Sequence, residues 1–118
     1  MKKDPLIFLK HIEESIERIE RFMRGVDRQR MEKDELLQSA LIRQIEVIGE
    51  AVKNLEIGFT VKYPYVEWSE IAGMRDKLIH NYFGIDLETI WKVIKKDIPE
   101  LRKQIKQILS DLNKNRVK

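Results

Sequence analysis

Residues 34–55 read DELLQSALIRQIEVIGEAVKNL, and this stretch decides the fold. Leu37, Leu41, Ile45, Ile48, Val52 and Leu55 recur at spacings of three and four, the signature of one buried face on an α-helix. Asp34 stands where a helix N-cap belongs, because its carboxylate can accept from an otherwise unpaired N–H of the first turn. Gly49 and Ala51 put small side chains into the middle of this helix. A mid-helix glycine costs about 1 kcal/mol relative to alanine, so Gly49 is expected where another helix comes close. Glu50, beside it, reads as an exposed helix residue.

Working outward, the same period appears on both sides. Asp4-Pro5 is an N-cap followed by proline at the first helical position, where the missing N–H costs nothing. A helix starting there carries Leu9, Ile12, Ile16, Ile19, Phe22 or Met23, and Val26 inward, with Gly25 as its stop. His11 reads as a boundary or surface residue of that helix. Residues 27–33 are too charged to pack and read as a connection. After the central helix, residues 56–67 hold Gly58, Tyr63, Pro64 and Tyr65, poor helix material, and read as an aromatic-rich crossover with no second strand to pair with. A third helix is expected from Trp68-Ser69, burying Ile71, Met74, Leu78 and Tyr82 and ending at Gly84. Asp86 should cap a fourth helix with Ile90, Val93 and Ile94 inward. Asp97-Ile98-Pro99-Glu100 has a capping-box spacing and an early proline, so the chain should bend there into a last helix with Ile98, Leu101, Ile105, Ile108 and Leu112 inward. The expected fold class is therefore all-α, a bundle of about five helices whose long first two run antiparallel. Residues 1–112 form the domain, and residues 113–118 form a basic tail that frays.

Composition bounds the function. With 118 residues, 42% hydrophobic and 36% charged, the chain is one globular domain with a heavily solvated surface. No run approaches the roughly 20 apolar residues that span a bilayer, and no signal-peptide pattern opens the chain, so a cytoplasmic location is expected. There is no cysteine, which excludes disulfides, thiolate metal sites and cysteine nucleophiles. The net charge of +3 hides an asymmetry: residues 1–91 carry 14 basic and 17 acidic side chains, and residues 92–118 carry 9 and 3. That basic end is open to two readings, a nucleic-acid contact or a solvated helix face with a charged tail.

The chemistry-bearing residues are concentrated in Arg75-Asp76-Lys77-Leu78-Ile79-His80-Asn81-Tyr82. On a helix, Ile71, Met74 and Leu78 would share a narrow arc, Gly73, Asp76 and His80 would lie roughly opposite, and Arg75 would flank the apolar stripe. Asp76 and His80 would then touch at i,i+4, the carboxylate favouring a protonated, oriented imidazole. Arg75 is a permanent cation whose planar fork suits phosphate oxygens. These parts suit cleavage of a phosphodiester, with RNA supplying its own 2′-hydroxyl nucleophile. One histidine cannot comfortably be both base for the hydroxyl and acid for the leaving oxygen, so a nuclease built this way should be a homodimer with two His80 and two Arg75 in one cleft. The same residues also fit a bland reading, a histidine near a helix C-terminus with Arg75 in a structural ion pair. Asp76 and His80 offer only two metal ligands, and there is no P-loop, dinucleotide fingerprint or serine nucleophile motif, so no cofactor is expected.

Arg75, four intervening residues, His80, Asn81 and Tyr82 match the Arg-x4-His-x-Tyr motif of the HEPN superfamily. The chain resembles in particular the HepT-like toxins encoded beside a minimal nucleotidyltransferase antitoxin. The resemblance runs through Ile48-Gly49-Glu50-Ala51, residues 64–68, Gly73-Met74-Arg75-Asp76, residues 82–86 and residues 91–99, in the family's order. It implies a metal-independent ribonuclease that dimerises to build its cleft. In that picture His80 is the general acid/base, Arg75 the ligand of the phosphate and its transition state, and Asp76 a supporting residue. Tyr82 matches the tyrosine that the antitoxin modifies with AMP in some members, and a bulky anionic nucleotide so close to His80 would block the cleft and repel RNA. Other members of the superfamily are noncatalytic nucleotide-binding or partner subunits, the alternative role for this chain.

Overall fold

Helices account for almost all of the regular structure in the computed structural model, which describes residues 4–80 and 84–117, without the side chains of His80, Arg116 and Val117. Their order is α1 (Pro5–Phe22), α2 (Arg28–Lys33), α3 (Glu35–Lys53), α4 (Ile57–Thr60), α5 (Trp68–Ala72), α6 (Met74–Leu78), α7 (Leu87–Lys92) and α8 (Ile98–Val117). Two residues, Ile79–His80 (β1), pair antiparallel with Gly84–Ile85 (β2), and this is the one extended pairing among the described residues. The all-α architecture is as the periodicity requires. No helix among the described residues is long and apolar enough to cross a membrane.

Three of the expected caps are in place, whereas Asp97, expected to start the last helix, lies inside a continuous helical run. Asp4 Oδ1 accepts from the N–H of Leu6 at 2.9 Å, Asp34 Oδ1 from Leu37 at 2.9 Å, and Asp86 Oδ1 from Thr89 at 3.0 Å. The core is one cluster in which α1 gives Leu9, Ile12, Ile16 and Ile19, α3 gives Leu41, Ile45, Ile48 and Val52, and α8 gives Leu101, Ile105 and Ile108. Its dominant seam lies between α1 and α3, with α8 closing on α1 and α5 and α6 on α3. Burying such side chains stabilises by about 1.5–3 kcal/mol each. Glu20 on α1 and Arg102 on α8 meet at 3.4 Å on the outside of this packing.

Four segments depart from the sequence reading. Residues 27–33 are not a mere connection: Asp27 caps α2, and Met31 is fully buried. Gln38 explains why a segment so charged can dock, since its Nε2 donates to the carbonyls of Met31 at 2.9 Å and Glu32 at 3.1 Å. It thus satisfies carbonyls at the open end of α2. The crossover also holds a helical turn, α4, and folds around Trp68. The indole Nε1 donates to the carbonyls of Thr60 and Tyr63 at 3.2 and 3.0 Å, and Gln104 on α8 pins the carbonyl of Tyr65 at 3.2 Å.

The third helix does not run to Gly84. It breaks at Gly73 into α5 and α6, then leaves helical geometry at Ile79, whose φ of −115° and ψ of 117° are extended. Ile79 is β-branched and begins a stretch with Tyr82 and Phe83, residue types that favour extended backbone over helix. Gly84 serves the strand pairing instead, at a φ of +88° that other residues rarely adopt. Ile71, Met74 and Leu78 are buried as expected. The fourth and fifth helices are joined: residues Val93–Asp97 form a π-helical turn that passes directly into α8. A proline ring clashes with the carbonyl four residues before it, and for Pro99 that carbonyl belongs to Lys95, inside the widened turn. The π-turn thus accommodates Pro99 without a stop. Helix α8 then continues to Val117, through the segment expected to fray.

Candidate functional site

Gly49 is where the site begins. A Cβ built there would lie 3.1 Å from the carbonyl oxygen of Ala72 and 3.5 Å from that of Ile71, so glycine lets the end of α5 rest on α3 without a shift that any side chain would require. Gly73 then turns the chain, and α6 starts against the same face of α3. Arg75 stands in the first turn of α6 and is delivered to Glu46, one turn before Gly49 on α3. The guanidinium Nε lies 3.2 Å from Glu46 Oε2. The other carboxylate oxygen of Glu46, Oε1, accepts from Arg43 Nη1 at 2.7 Å. One carboxylate therefore bridges two guanidinium groups.

Around Arg75 the surface forms an open depression of about 370 Å³, lined by Glu46, Gly49, Glu50, Lys53, Ala72, Arg75 and Asp76. Asp76 is 81% exposed, and its Oδ1 lies 3.6 Å from Arg75 Nη1, beyond hydrogen-bond range. Glu50 is exposed, as the sequence suggested, and meets Lys53 at 3.5 Å. Three cations, Arg43, Lys53 and Arg75, are thus matched by three carboxylates, Glu46, Glu50 and Asp76. The site is locally neutral. It presents an arginine held in place rather than a field that gathers anions.

The sequence-expected residues fare differently. Arg75 and Asp76 are adjacent on α6, with Arg75 half-exposed at the rim of the depression. The continuous helix on which Asp76 and His80 would stand at i,i+4 ends at Leu78, because the chain is already extended at Ile79 and His80. The backbone of His80 pairs with Gly84, while its side chain lies outside the described residues, as does Tyr82. Glu46 and Arg43 were not singled out by the sequence reading. The signal was present: a glycine that admits a second helix marks the residues one turn away as its neighbours.

The family described as Ribonuclease HepT-like matches residues 12–108. This chain belongs to the HepT-like ribonuclease family. A "Putative RNase" of Caldanaerobacter subterraneus is 49% identical over 107 residues, covering 91% of this chain and 96% of that protein. A "Probable ribonuclease HepT" of Thermococcus cleftensis is 43% identical over 108 residues, covering 92% and 98%. A "Gamma-glutamylcyclotransferase and putative RNase" of Methanocaldococcus jannaschii is 48% identical over 116 residues, but this chain spans only 52% of its length. No solved structure matches the chain significantly. In this HepT-like chain the match takes in every described residue of the depression and the whole Arg75 to Tyr82 motif.

Proposed function

We propose that this chain is a metal-independent endoribonuclease toxin that cuts RNA in a cleft shared by two copies and is neutralised by a nucleotidyltransferase antitoxin. The observation that carries this reading is membership of the HepT-like ribonuclease family with Arg75, His80 and Tyr82 all present. The half-exposed Arg75, anchored on α3, supports it. The chemistry needs few parts. A base takes the proton of the RNA 2′-hydroxyl, the 2′-oxygen attacks the adjacent phosphorus, and the bond to the 5′-oxygen breaks as an acid protonates it. His80 from each copy would supply base and acid, and Arg75 would hold the crowded, more negative phosphorus centre. Asp76 is a supporting residue that tunes Arg75 from the side. AMP attached to Tyr82 by the antitoxin would close the cleft to RNA by bulk and charge.

The test is cleavage of single-stranded RNA in EDTA by the purified protein. His80→Ala and Arg75→Ala should each lose at least about a hundredfold in kcat/KM while keeping their helicity. Equal cleavage by wild type and His80→Ala would refute the assignment. A monomer by light scattering at assay concentration would refute the shared cleft. Incubation with the antitoxin and ATP should add AMP to the wild type and not to Tyr82→Phe, read by mass spectrometry.

A further inference from the structure

We propose that Glu46 is the positioning residue for Arg75, with Arg43 as the clamp that holds Glu46; the proposal rests on the phosphate-binding role given above to Arg75. The reasoning starts from which nitrogen is used. Glu46 Oε2 engages Arg75 through Nε. No hydrogen bond from Nη1 or Nη2 to another described residue is present, and these two nitrogens are the pair that can grip two phosphate oxygens at once. Asp76 approaches Nη1 at 3.6 Å, close enough for an ion pair but beyond hydrogen-bond range, and at 81% exposure it can yield to a phosphate. Among the described residues only the exposed Asp76 comes near Nη1, so Glu46 holds Arg75 from the Nε side.

Glu46 would itself be a loose anchor, since a partly exposed glutamate rotates freely. Arg43 removes that freedom by taking the second carboxylate oxygen at 2.7 Å from one turn earlier on α3. The three side chains form a relay: Arg43 fixes Glu46, and Glu46 fixes Arg75. Exposed ion pairs of this kind contribute little to folding, so their arrangement points to orientation rather than to stability.

Local neutrality gives the proposal a distinctive sign. Removing the Glu46 charge makes the site more cationic, which should leave RNA binding unchanged or tighter. Releasing Arg75 should instead slow the chemical step, because a small misplacement of a transition-state ligand is costly. Glu46→Ala is therefore expected to lower kcat about tenfold or more without raising KM. Glu46→Gln keeps a carbonyl oxygen for Arg75 Nε and should recover most of the rate. Arg43→Ala should fall between the two.

The experiment is steady-state cleavage of a short fluorogenic RNA by the full-length chain and these three variants. It is paired with the ¹⁵N relaxation of the Arg75 Nε–H group. That group should be ordered in wild type and Glu46→Gln and mobile in Glu46→Ala. A kcat for Glu46→Ala within about twofold of wild type, or a loss confined to KM, overturns the proposal. So does an Arg75 Nε–H equally ordered in Glu46→Ala. If wild type cleaves no more than His80→Ala, the ribonuclease reading fails, and the relaxation measurement alone still decides whether Glu46 holds Arg75.

Discussion

Replacing Gly49 by valine tests the contact on which the whole site is built. A Cβ at this position would meet the Ala72 carbonyl oxygen at 3.1 Å, inside the 3.4 Å at which ordinary contact begins, and the Ala72 carbonyl carbon at 3.7 Å. The obstacle is backbone, which cannot swing aside as a flexible side chain could. Alanine at this site gains about 1 kcal/mol of helix propensity. It must also push α5 back by a few tenths of an ångström. Overpacking of that kind costs about 1–3 kcal/mol, so Gly49→Ala should be slightly destabilising. Valine adds two more methyl groups against the same carbonyls and forfeits part of the propensity gain, for a net loss of about 3 kcal/mol. For a domain of this size that corresponds to a fall in Tm of roughly 10 °C. Because α5 leads through Gly73 directly into α6, the displacement also moves Arg75, and RNA cleavage at a temperature where the variant stays folded should fall with it. Thermal melts followed by far-UV circular dichroism give the first number. A valine variant melting within about 2 °C of wild type, or an alanine variant stabilised by the full propensity gain of about 1 kcal/mol, would refute the close approach of α5 to α3.

Two other perturbations probe the crossover that ties α4 and α5 to α8. Trp68→Phe removes the indole donor shared by the carbonyls of Thr60 and Tyr63, but each carbonyl keeps a backbone donor, Tyr63 N–H and Val66 N–H respectively. The cost should be near the low end for a lost hydrogen bond, about 1 kcal/mol, and visible in urea denaturation. Burial raises the pKa of the Tyr63 phenol, with the Asp111 carboxylate and then Tyr65 adding to the effect. The folded chain therefore holds this proton more tightly than the unfolded chain, so stability should fall as pH rises past about 10. Asp111→Asn should make that alkaline loss shallower, and an unchanged slope would show that Asp111 does not act on Tyr63.

Much of the fold was legible because its signals are local. Asp4, Asp34 and Asp86 each cap an N–H two or three residues away, and the stripes of α1, α3 and α8 repeat within a turn. What escaped depends on distant partners or on competing preferences. Met31 is a lone apolar residue among charges, and its segment becomes a helix because Gln38 reaches back from α3 to its carbonyls. Pro99 looked like a new helix start, whereas a π-turn absorbs it inside one continuous helical run. The break after Leu78 was readable in principle, since Ile79, Tyr82 and Phe83 are residue types that favour extended backbone. Gly84 is a residue type that stops helices, yet here it serves a strand pairing.

The site shows the same division more sharply. Arg75 and Asp76 could be singled out from chemistry alone, but their surroundings could not, because Glu46 belongs to a different helix. Gly49 was nevertheless the correct clue. A glycine kept in a helix interior at a cost of about 1 kcal/mol implies an approaching backbone. The side chain one turn before such a contact, here Glu46 at i−3, then becomes the first candidate to meet whatever that backbone carries, with Glu50 at i+1 lying to one side. Glu50 turned outward to Lys53, and Glu46 took Arg75. Which of the two would do so depends on the turn at Gly73, and a turn between two short helices leaves no periodicity from which to read its direction.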